Sequence, residues 1–316
     1  MHAAEVIHKG ACEAAKRIEP HVARTPLVDC ELLATTTGIG QVLLKCENLQ
    51  HGGAFKSRGA CNAVFSLADD AAKRGVLTHS SGNHAAAIAR AAKRRGVEAH
   101  VVMPRNSSPA KVANVRRYGV EPLFCGPTAE ERQAAADAIA DETGATLIHP
   151  YNQHEVICGQ GTVGLEVLDQ CDDLDAVIVP VGGGGLLAGV LSVVKKSRPD
   201  IKVIAAEPAW ADDASRSLAA GSIQQPTRYD TVADGLRTPL GDRTFPILRE
   251  LLDDLVLVTE DQILDAQQRL AVDAWLVVEP SGAVGVAALE QLAPQFADRR
   301  IAIILTGGNV VLPTRH

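Results

Sequence analysis

Four consecutive glycines, Gly182–Gly185, stand between an aliphatic run and an apparent helix, an arrangement that suits the binding of an anion. Because glycine has no side chain, the backbone N–H groups of such a turn can close around a phosphate. The helix that follows directs its positive dipole end at the same place. A nucleotide-binding P-loop would continue with Lys and Ser or Thr, but Leu186 comes next. A tight packing turn is the alternative, although it would need only one or two glycines.

A lysine lies in a second unusual segment, E-N-L-Q-H-G-G-A-F-K-S-R-G-A, which spans Glu47–Ala60. Lys56 follows the apolar Phe55 and a flexible Gly52-Gly53 pair and precedes an apparent helix. A single lysine is usually a solvated surface group. A partly desolvated lysine, however, has a lowered pKa and can form a Schiff base with an aldehyde. Together with a phosphate site that lacks metal-nucleotide residues, it suggests a phosphate-bearing aldehyde as the ligand.

Two further segments place polar groups where strands end. In Thr78–Ala85, T-H-S-S-G-N-H-A, hydroxyls and amides meet at a predicted helix N-terminus, which favours a bound carboxylate. A Ser or Asn helix cap is the alternative, but it accounts for only one or two of these residues. In Leu305–Val310, L-T-G-G-N-V, the hydroxyl of Thr306 follows the last aliphatic run. Strand ends of this kind face the ligand crevice of open α/β sheets, although a simple strand-ending turn explains this segment equally well.

The segment Gly159–Gly164 matches the dinucleotide fingerprint G-x-G-x-x-G. It lacks a convincing strand before it and a ribose-binding acid at the right distance after it. We interpret it as a helix start packed closely on another element, which disfavours a Rossmann-type dehydrogenase.

Short aliphatic runs alternate with alanine-rich helical stretches, a pattern typical of a mostly parallel sheet covered by helices. The stretch from Glu207 to Arg243 is loop-rich. The predicted strands are Gly40–Cys46, Val76–His79, His100–Met103, Asp175–Val181, Lys202–Ala206 and Ile301–Leu305, and the predicted helices are Ala85–Arg95, Pro109–Tyr118, Glu130–Thr143, Leu186–Lys196, Ile263–Ala274 and Ala283–Leu292.

The bulk composition excludes several classes of protein. The 316 residues carry a net charge of −7, and no basic patch of the kind that binds nucleic acid is present. Seven dispersed cysteines without metal-ligand spacing indicate reduced thiols and therefore a cytoplasmic protein. No signal peptide is apparent, and no apolar run reaches the roughly 18 residues of a membrane span.

The four segments, in this order and spacing, resemble the serine/threonine dehydratase and serine racemase family of pyridoxal-phosphate enzymes. The resemblance covers the chain from about Ile7 to Val310. It implies the α/β architecture of fold type II, similar to the tryptophan synthase β chain, with two open, mostly parallel sheets flanked by helices. It also implies a large cofactor-binding domain of residues 1–74 and 153–316, a small domain of residues 75–152, and a homodimer.

The resemblance assigns cofactor contacts to most of these residues. Lys56 would hold pyridoxal 5′-phosphate as a Schiff base, beside Phe55, and Asn83 would contact the 3′-oxygen of the cofactor. Gly182, Gly183, Gly184, Gly185 and the amide of Leu186 would hold the phosphate. Thr306 stands where the racemases usually have a serine bonded to the pyridine nitrogen; the hydroxyl is retained, so we expect the same role.

Two matches point to the racemase-like branch of the family. Ser81 corresponds to the racemase residue that faces the cofactor from the side opposite the lysine. The segment A-A-E-P-A-W-A-D-D resembles a divalent-cation site, with carboxylates from Glu207 and Asp213 and the carbonyl of Ala211. Oxygen ligands suit Mg²⁺, with Ca²⁺ or Mn²⁺ as alternatives. An acidic loop without a metal is the competing interpretation.

The resemblance also suggests how a substrate is held. The substrate carboxylate would lie against Ser80, Ser81, Asn83 and His84. Arg132, with Thr238, falls where the racemases bind a dicarboxylate, and the alternative for Arg132 is a solvated position on its helix. Tyr151 departs from the asparagine of the animal racemases.

The expected activity is an ammonia-lyase (dehydratase) reaction on serine, threonine or 3-hydroxyaspartate that yields a 2-oxo acid, with racemisation as a side activity. The alternatives are a racemase as the main activity and a non-enzymatic pyridoxal-phosphate carrier. A β-replacement enzyme resembling cysteine synthase is disfavoured, since those enzymes usually have threonine where His84 stands. The chain ends soon after T-G-G-N-V, so we do not expect feedback control by isoleucine.

Overall fold

Two open sheets form the framework of the protein in a computed structural model that describes residues 3–80 and 82–310, with only the backbone of Ala129. The strands are β1 (Leu27–Asp29), β2 (Gln41–Lys45), β3 (Val76–His79), β4 (Ala99–Pro104), β5 (Leu123–Cys125), β6 (Thr146–Leu147), β7 (Ala176–Pro180), β8 (Lys202–Pro208), β9 (Asp254–Val258) and β10 (Arg300–Ile304).

Fourteen α-helices cover these sheets within the described part of the chain. They are α1 (Ala3–Ile18), α2 (Glu31–Thr37), α3 (Lys56–Ser66), α4 (Asp69–Lys73), α5 (Asn83–Arg95), α6 (Pro109–Arg116), α7 (Ala129–Thr143), α8 (His154–Gln170), α9 (Gly185–Ser197), α10 (Asp213–Ala220), α11 (Phe245–Leu251), α12 (Glu260–Asp273), α13 (Pro280–Ala287) and α14 (Leu289–Leu292). None of the helices found in residues 3–80 and 82–310 is both long and apolar enough to cross a membrane.

The six-stranded sheet has the order β1-β2-β10-β7-β8-β9, and the four-stranded sheet has the order β5-β4-β3-β6. All neighbouring strands are parallel except β1, which pairs antiparallel with β2. The expected fold class, an α/β protein of fold type II with two mostly parallel sheets, is therefore confirmed.

The central strands of the larger sheet are buried on both faces, which explains why they are continuous aliphatic runs. In β7, Ala176 and Ile178 pack into one hydrophobic cluster while Val177 and Val179 pack into another. Successive side chains of a strand point to opposite faces, so the two clusters lie on opposite sides of the sheet. The central strands β7 and β10 are thereby fixed in position, and the loops at their carboxyl ends start from a rigid base.

The predicted elements are present with small shifts at their ends. The strand Val76–His79 has the predicted limits, and the five other predicted strands differ by at most two residues at either end. The predicted helix Ala283–Leu292 is two helices, α13 and α14, and begins earlier, at Pro280, because proline suits the first turn of a helix. The stretch from Glu207 to Arg243 is less irregular than predicted, since it contains α10.

The G-x-G-x-x-G segment lies within α8 rather than at the start of a helix, so that part of the prediction is wrong. The expected close packing is present: a Cβ at Gly159 would lie 2.6 Å from the Cα of Gly59. Likewise, a Cβ at Gly189 would lie 2.6 Å from the nitrogen of Gly161. These glycines let α8 approach α3 and α9 closely, and they form no nucleotide-binding turn.

Candidate active site

The segment before Lys56 is joined to the segment after β10, and this brings two of the predicted motifs together. The N–H of Phe55 donates to the carbonyl of Thr306 over 3.1 Å, and Ala54 forms an antiparallel bridge with Gly307. The N–H of Gly308 donates to the carbonyl of Gly53 over 2.9 Å. Lys56, the first residue of α3, therefore lies beside the T-G-G-N segment.

The amine of Lys56 is partly desolvated and is not paired with an acid in its described contacts. Its Nζ donates to the carbonyl of Pro150 over 2.9 Å and lies 5.0 Å from the centre of the Phe55 ring. Burial lowers the pKa of Lys56 to about 8. A carbonyl accepts a hydrogen bond without the charge that would hold the amine protonated, so the neutral amine is accessible near neutral pH.

A buried ion network anchors the helix that carries Lys56. The guanidinium of Arg58 donates to both oxygens of Glu47, over 2.7 and 2.8 Å, and to both oxygens of Glu166, over 2.7 and 2.8 Å. Lys45 in β2 completes the network with a 2.6 Å contact to Glu166 in α8. A buried pair resists the loss of either partner because the remaining charge stays desolvated. The network therefore holds the N-terminal turn of α3 against β2 and α8.

The tetraglycine turn forms a cradle at the N-terminus of α9 in which no side chain would fit. A Cβ at Gly183 would lie 2.5 Å from the ring of Tyr151, and one at Gly182 would lie 2.9 Å from the Cα of Leu236. Gly184 has a φ of +82°, a conformation that favours glycine. Leu186 follows as a buried residue of the first turn of α9. Backbone N–H groups at this helix start suit a phosphate, so the turn fits the phosphate of the expected cofactor.

The S-S-G-N-H segment connects β3 to α5, as predicted. Ser80 Oγ accepts a 3.3 Å hydrogen bond from the N–H of Gly82, and α5 starts at Asn83 without a side-chain cap. The capping alternative is thus not what holds this helix start. Ser81, the predicted residue on the opposite face, lies outside the described residues.

His84 is buried and electrically neutral. Its Nε2 lies 3.2 Å from the carbonyl of Ile148, which can only accept, so Nε2 carries the proton. Its Nδ1 has no hydrogen-bond partner among the described residues. Burial, and secondarily the charge of Lys56, hold the pKa of His84 well below its usual value. The free nitrogen of the ring, Nδ1, can therefore only accept a hydrogen bond and would repel a carboxylate. Only the backbone N–H of His84 suits a substrate carboxylate.

Asn83 is hydrogen-bonded to two residues to which the sequence alone assigned no role. Its Nδ2 donates to Glu279 Oε1 over 2.7 Å, and its Oδ1 accepts from Asn309 Nδ2 over 2.9 Å. Glu279 is the residue before α13, is 8% exposed, and has a pKa raised to about 7 by burial and by the charge of Asp234. In the sequence, Glu279 is recognisable only as an acidic residue before a proline that starts a helix, which does not indicate a role in the site. Its contact with Asn83 spans 196 positions and could not be inferred from the sequence.

The two residues predicted to hold an acidic side chain come from different segments of the chain, α7 and the loop that follows Leu236. Arg132 in α7 is half-buried, and its Nε has no hydrogen-bond partner among the described residues. Burial, and secondarily the charge of Arg132, lower the pKa of His79. Arg132 is therefore not a fully solvated helix position. Thr238 is half-buried two residues after Leu236, which packs against the glycine cradle.

The predicted cation ligands lie at the end of β8 and the start of α10. Both oxygens of Glu207 accept backbone N–H groups, from Ala214 over 2.7 Å and from Ser215 over 2.9 Å. Both oxygens of Asp213 are buried without a well-aligned hydrogen bond within the described residues. Burial raises the pKa of Glu207 to about 8 and that of Asp213 to about 7. The two buried carboxylates, of which only that of Asp213 lacks hydrogen-bond partners among the described residues, fit a hard cation such as Mg²⁺ together with the carbonyl of the buried residue Ala211.

No cluster of three or more His, Cys, Asp and Glu side chains suited to a metal occurs in residues 3–80 and 82–310. The predicted ligand set contains two carboxylates and a backbone carbonyl, so it would need water to complete the coordination of Mg²⁺.

Comparisons with known proteins identify relatives over nearly the full chain. The family described as "Pyridoxal-phosphate dependent enzyme" matches residues 18–307. A serine racemase of Oryza sativa subsp. japonica is 46% identical, with 95% of this chain and 90% of that protein covered. A beta-hydroxyaspartate dehydratase of Paracoccus denitrificans is 44% identical, with 94% of each covered. The structure of maize serine racemase is 44% identical, with a TM-score of 0.94 over 96% of this chain and 94% of that one. The chain therefore belongs to the family of pyridoxal-phosphate-dependent enzymes.

Proposed function

We propose that this protein is an ammonia-lyase (dehydratase): it eliminates water from a small β-hydroxy amino acid, and hydrolysis of the product then gives a 2-oxo acid and ammonia. The observation that carries the proposal is the position of Lys56, whose lowered pKa and carbonyl partner suit a reactive amine, beside Thr306. The glycine cradle supplies the phosphate site that a pyridoxal-phosphate enzyme needs. The relatives named beta-hydroxyaspartate dehydratase and serine racemase support this class of substrate.

The cofactor would be held by five features. Lys56 would carry it covalently, with Phe55 alongside; Gly182–Gly185 and the amide of Leu186 would bind its phosphate. Asn83 would contact its 3′-oxygen, and Thr306 its pyridine nitrogen. When bound, pyridoxal 5′-phosphate withdraws electrons from the substrate and makes the proton on Cα acidic.

The protein's own residues would then orient the substrate and move the proton. The substrate carboxylate would lie against Ser80 and the backbone N–H groups of Asn83 and His84, at the N-terminus of α5. Lys56, released when the substrate amine takes its place on the cofactor, would then accept the Cα proton with its neutral amine as a general base. Loss of the β-hydroxyl as water leaves an enamine, which hydrolyses to the 2-oxo acid and ammonia.

Racemisation is the second candidate activity, and it depends on Ser81. A hydroxyl on the face opposite Lys56 would return a proton to Cα from the other side and give the enantiomer. Relatives named serine racemase favour this alternative.

Arg132 would select a substrate with an acidic side chain. A half-buried guanidinium with an unpartnered Nε is suited to a carboxylate, and Thr238 would add a hydroxyl. This favours 3-hydroxyaspartate among the candidate substrates.

Three further features belong to the proposal. We propose a Mg²⁺ site formed by Glu207, Asp213 and the carbonyl of Ala211. We also propose a cytoplasmic homodimer. Each subunit would consist of a large domain, residues 1–74 and 153–316, and a small domain, residues 75–152. The small domain contains the whole four-stranded sheet.

The test is a substrate panel of L-serine, D-serine, L-threonine and the 3-hydroxyaspartate isomers, with and without Mg²⁺. We expect the absorption band of lysine-bound pyridoxal in the wild type, and pyruvate, 2-oxobutyrate or oxaloacetate as products. Lys56→Ala should abolish both the band and turnover, whereas Ser81→Ala should remove racemisation and leave elimination of the L-substrate. An absorption band without any product would identify a cofactor carrier. Absence of the band from the wild type would contradict the proposal.

A further inference from the structure

The side-chain amide of Asn83 is held in one orientation by residues from two distant parts of the chain. Its Nδ2 donates to Glu279 Oε1 over 2.7 Å, and its Oδ1 accepts from Asn309 Nδ2 over 2.9 Å. Asn309 Nδ2 also donates to the carbonyl of Gly52 over 2.8 Å.

The chemistry of these partners fixes which end of the amide points where. A backbone carbonyl and an ionised carboxylate can only accept hydrogen bonds. The carbonyl of Gly52 therefore requires the side-chain nitrogen of Asn309 as its donor. Because that same nitrogen also faces Asn83, Asn83 must turn its oxygen towards it as the acceptor. Glu279, on the other side, requires the nitrogen of Asn83. One of the two N–H groups of that nitrogen is used by Glu279, so the second remains to donate elsewhere.

These residues lie against the segment that accompanies Lys56. A Cβ added at Gly307 would lie 2.3 Å from Glu279 Oε1 and 3.2 Å from Asn83 Nδ2. Gly307 follows Thr306 and bridges to Ala54. The N–H of Glu279 also donates to the carbonyl of Gly307 over 2.9 Å.

We propose that Glu279 is a positioning residue that fixes the amide of Asn83 with its free N–H towards the bound cofactor. The inference rests on the proposed function, because it concerns the group that Asn83 contacts. Glu279 acts through Asn83 and touches neither the cofactor nor the substrate. A flipped amide would present its oxygen to the 3′-oxygen of the cofactor, and two acceptors facing each other repel.

The ionisation of Glu279 makes this arrangement depend on pH. Burial, and then the charge of Asp234, raise the pKa of Glu279 to about 7, while Asn83, the N–H of Asn309 and Lys111 oppose the increase. Below that pH the neutral carboxyl group is a weaker acceptor and can also donate, so only Asn309 then selects the orientation of the Asn83 amide. Cofactor affinity therefore falls as the pH decreases through 7, in addition to any change from other groups.

The test compares the affinity of the apo protein for pyridoxal 5′-phosphate in the wild type and in Glu279→Gln between pH 5.5 and 8.5, followed by absorbance. The ratio of the two affinities at each pH cancels the contributions of Lys56 and of the cofactor phosphate. We expect a ratio near one at the acidic end and a roughly tenfold advantage of the wild type at the alkaline end, as for one hydrogen bond to a charged group. Glu290→Gln, at a position with 69% side-chain exposure, is the matched control and should follow the wild type.

Two further arms separate positioning from a general structural effect. In an Asn83→Ala background, Glu279→Gln should lose its effect on affinity, because Glu279 acts only through Asn83. Asp234→Asn should move the transition to lower pH, since it removes a negative charge near Glu279. Additive effects in the double variant, or a ratio that does not change with pH, would overturn the inference alone. A wild type that binds no pyridoxal 5′-phosphate would overturn the proposed function as well.

Discussion

Lys56 combines a half-buried side chain with a hydrogen-bond partner that carries no charge. A lysine paired with a carboxylate would keep its proton, and a fully exposed lysine would have its ordinary pKa. Here desolvation is the dominant effect, and the pKa of Lys56 is lowered to about 8. At pH 7 about a tenth of the amine is neutral, which is roughly 300 times the neutral fraction of an exposed lysine.

The first residue-scale prediction concerns covalent cofactor uptake by Lys56. Only the neutral amine attacks the aldehyde, so the rate of uptake by the apo protein should rise with pH and level off above a midpoint near 8. Stopped-flow absorbance between pH 6.5 and 9.5 measures this, with free butylamine correcting for the cofactor's own ionisation. Lys195→Arg, which retains a positive charge beside Asp253, should leave the profile unchanged. A midpoint near 10 would show that Lys56 is solvated.

Individual residues differ in how well the sequence alone predicts them. Lys56 and the four glycines stood out because a lysine between apolar neighbours and a glycine run are unusual in themselves. Glu279 was missed, and Asn309 was given no role although it lies in the L-T-G-G-N-V segment, since their importance lies in contacts with Asn83 over 196 and 226 positions. Only tertiary structure brings such residues together.

At the scale of elements, six of the ten described strands were predictable, whereas β1, β5, β6, β9 and several helices were not. β7 and β10 are aliphatic runs because helices cover both faces of their sheet, and such runs can be recognised without a structure. The strands β1, β5 and β6 have only two or three residues, too few for a pattern. The glycines of α8 were interpreted as a helix start, whereas they lie in the middle of the helix and allow it to pack closely on its neighbours. Their spacing in the sequence does not distinguish these two roles.

The element-scale prediction concerns the start of α9. In Gly183→Ala the new Cβ would lie 2.5 Å from the ring of Tyr151, which is half-buried and packs against the turn. Because the ring cannot move away cheaply, the turn must open, and we expect at least a tenfold loss of affinity for pyridoxal 5′-phosphate. Overpacking of this kind also costs about 1–3 kcal/mol of stability.

Gly161→Ala is the control for this prediction. Its Cβ would lie 3.0 Å from Ala11 Cβ, in the packing between helices and away from the cradle. Thermal unfolding and cofactor titration of both variants should show a loss of stability in each, but a loss of affinity only in Gly183→Ala. Equal affinities in the two variants would mean that the glycine turn does not hold the phosphate.

At the scale of the whole molecule, the candidate site is assembled between the two sheets. Asn83 starts the helix after β3 of the smaller sheet, whereas Glu279 and Thr306 come from segments of the larger one. An ion pair between Lys111 in α6 and Asp234, with a 2.5 Å contact, joins the same two parts of the protein. The site is therefore sensitive to anything that shifts one sheet against the other.

The proposed Mg²⁺ site should connect global stability with the cofactor site. Burial, and secondarily the negative charge of Asp213, raise the pKa of Tyr151, so the carboxylate lies near the residue that packs on the glycine cradle. A buried carboxylate without a partner costs free energy, and a bound cation would offset that cost. Mg²⁺ at 100 times its dissociation constant should add about 2.7 kcal/mol to the stability of the wild type.

In Asp213→Asn the stability should no longer depend on Mg²⁺, and the difference in stability from the wild type should have opposite signs without and with the metal. Without Mg²⁺ the variant should be more stable than the wild type, because the uncompensated buried charge is gone; with Mg²⁺ the order should reverse. Thermal unfolding with added Mg²⁺ or EDTA measures both effects, and Asp200→Asn, at an exposed ion pair, is the control that should respond as the wild type does. If the wild type unfolds at the same temperature in Mg²⁺ and in EDTA, Glu207 and Asp213 form no cation site, and the buried carboxylates must be accommodated by protonation instead.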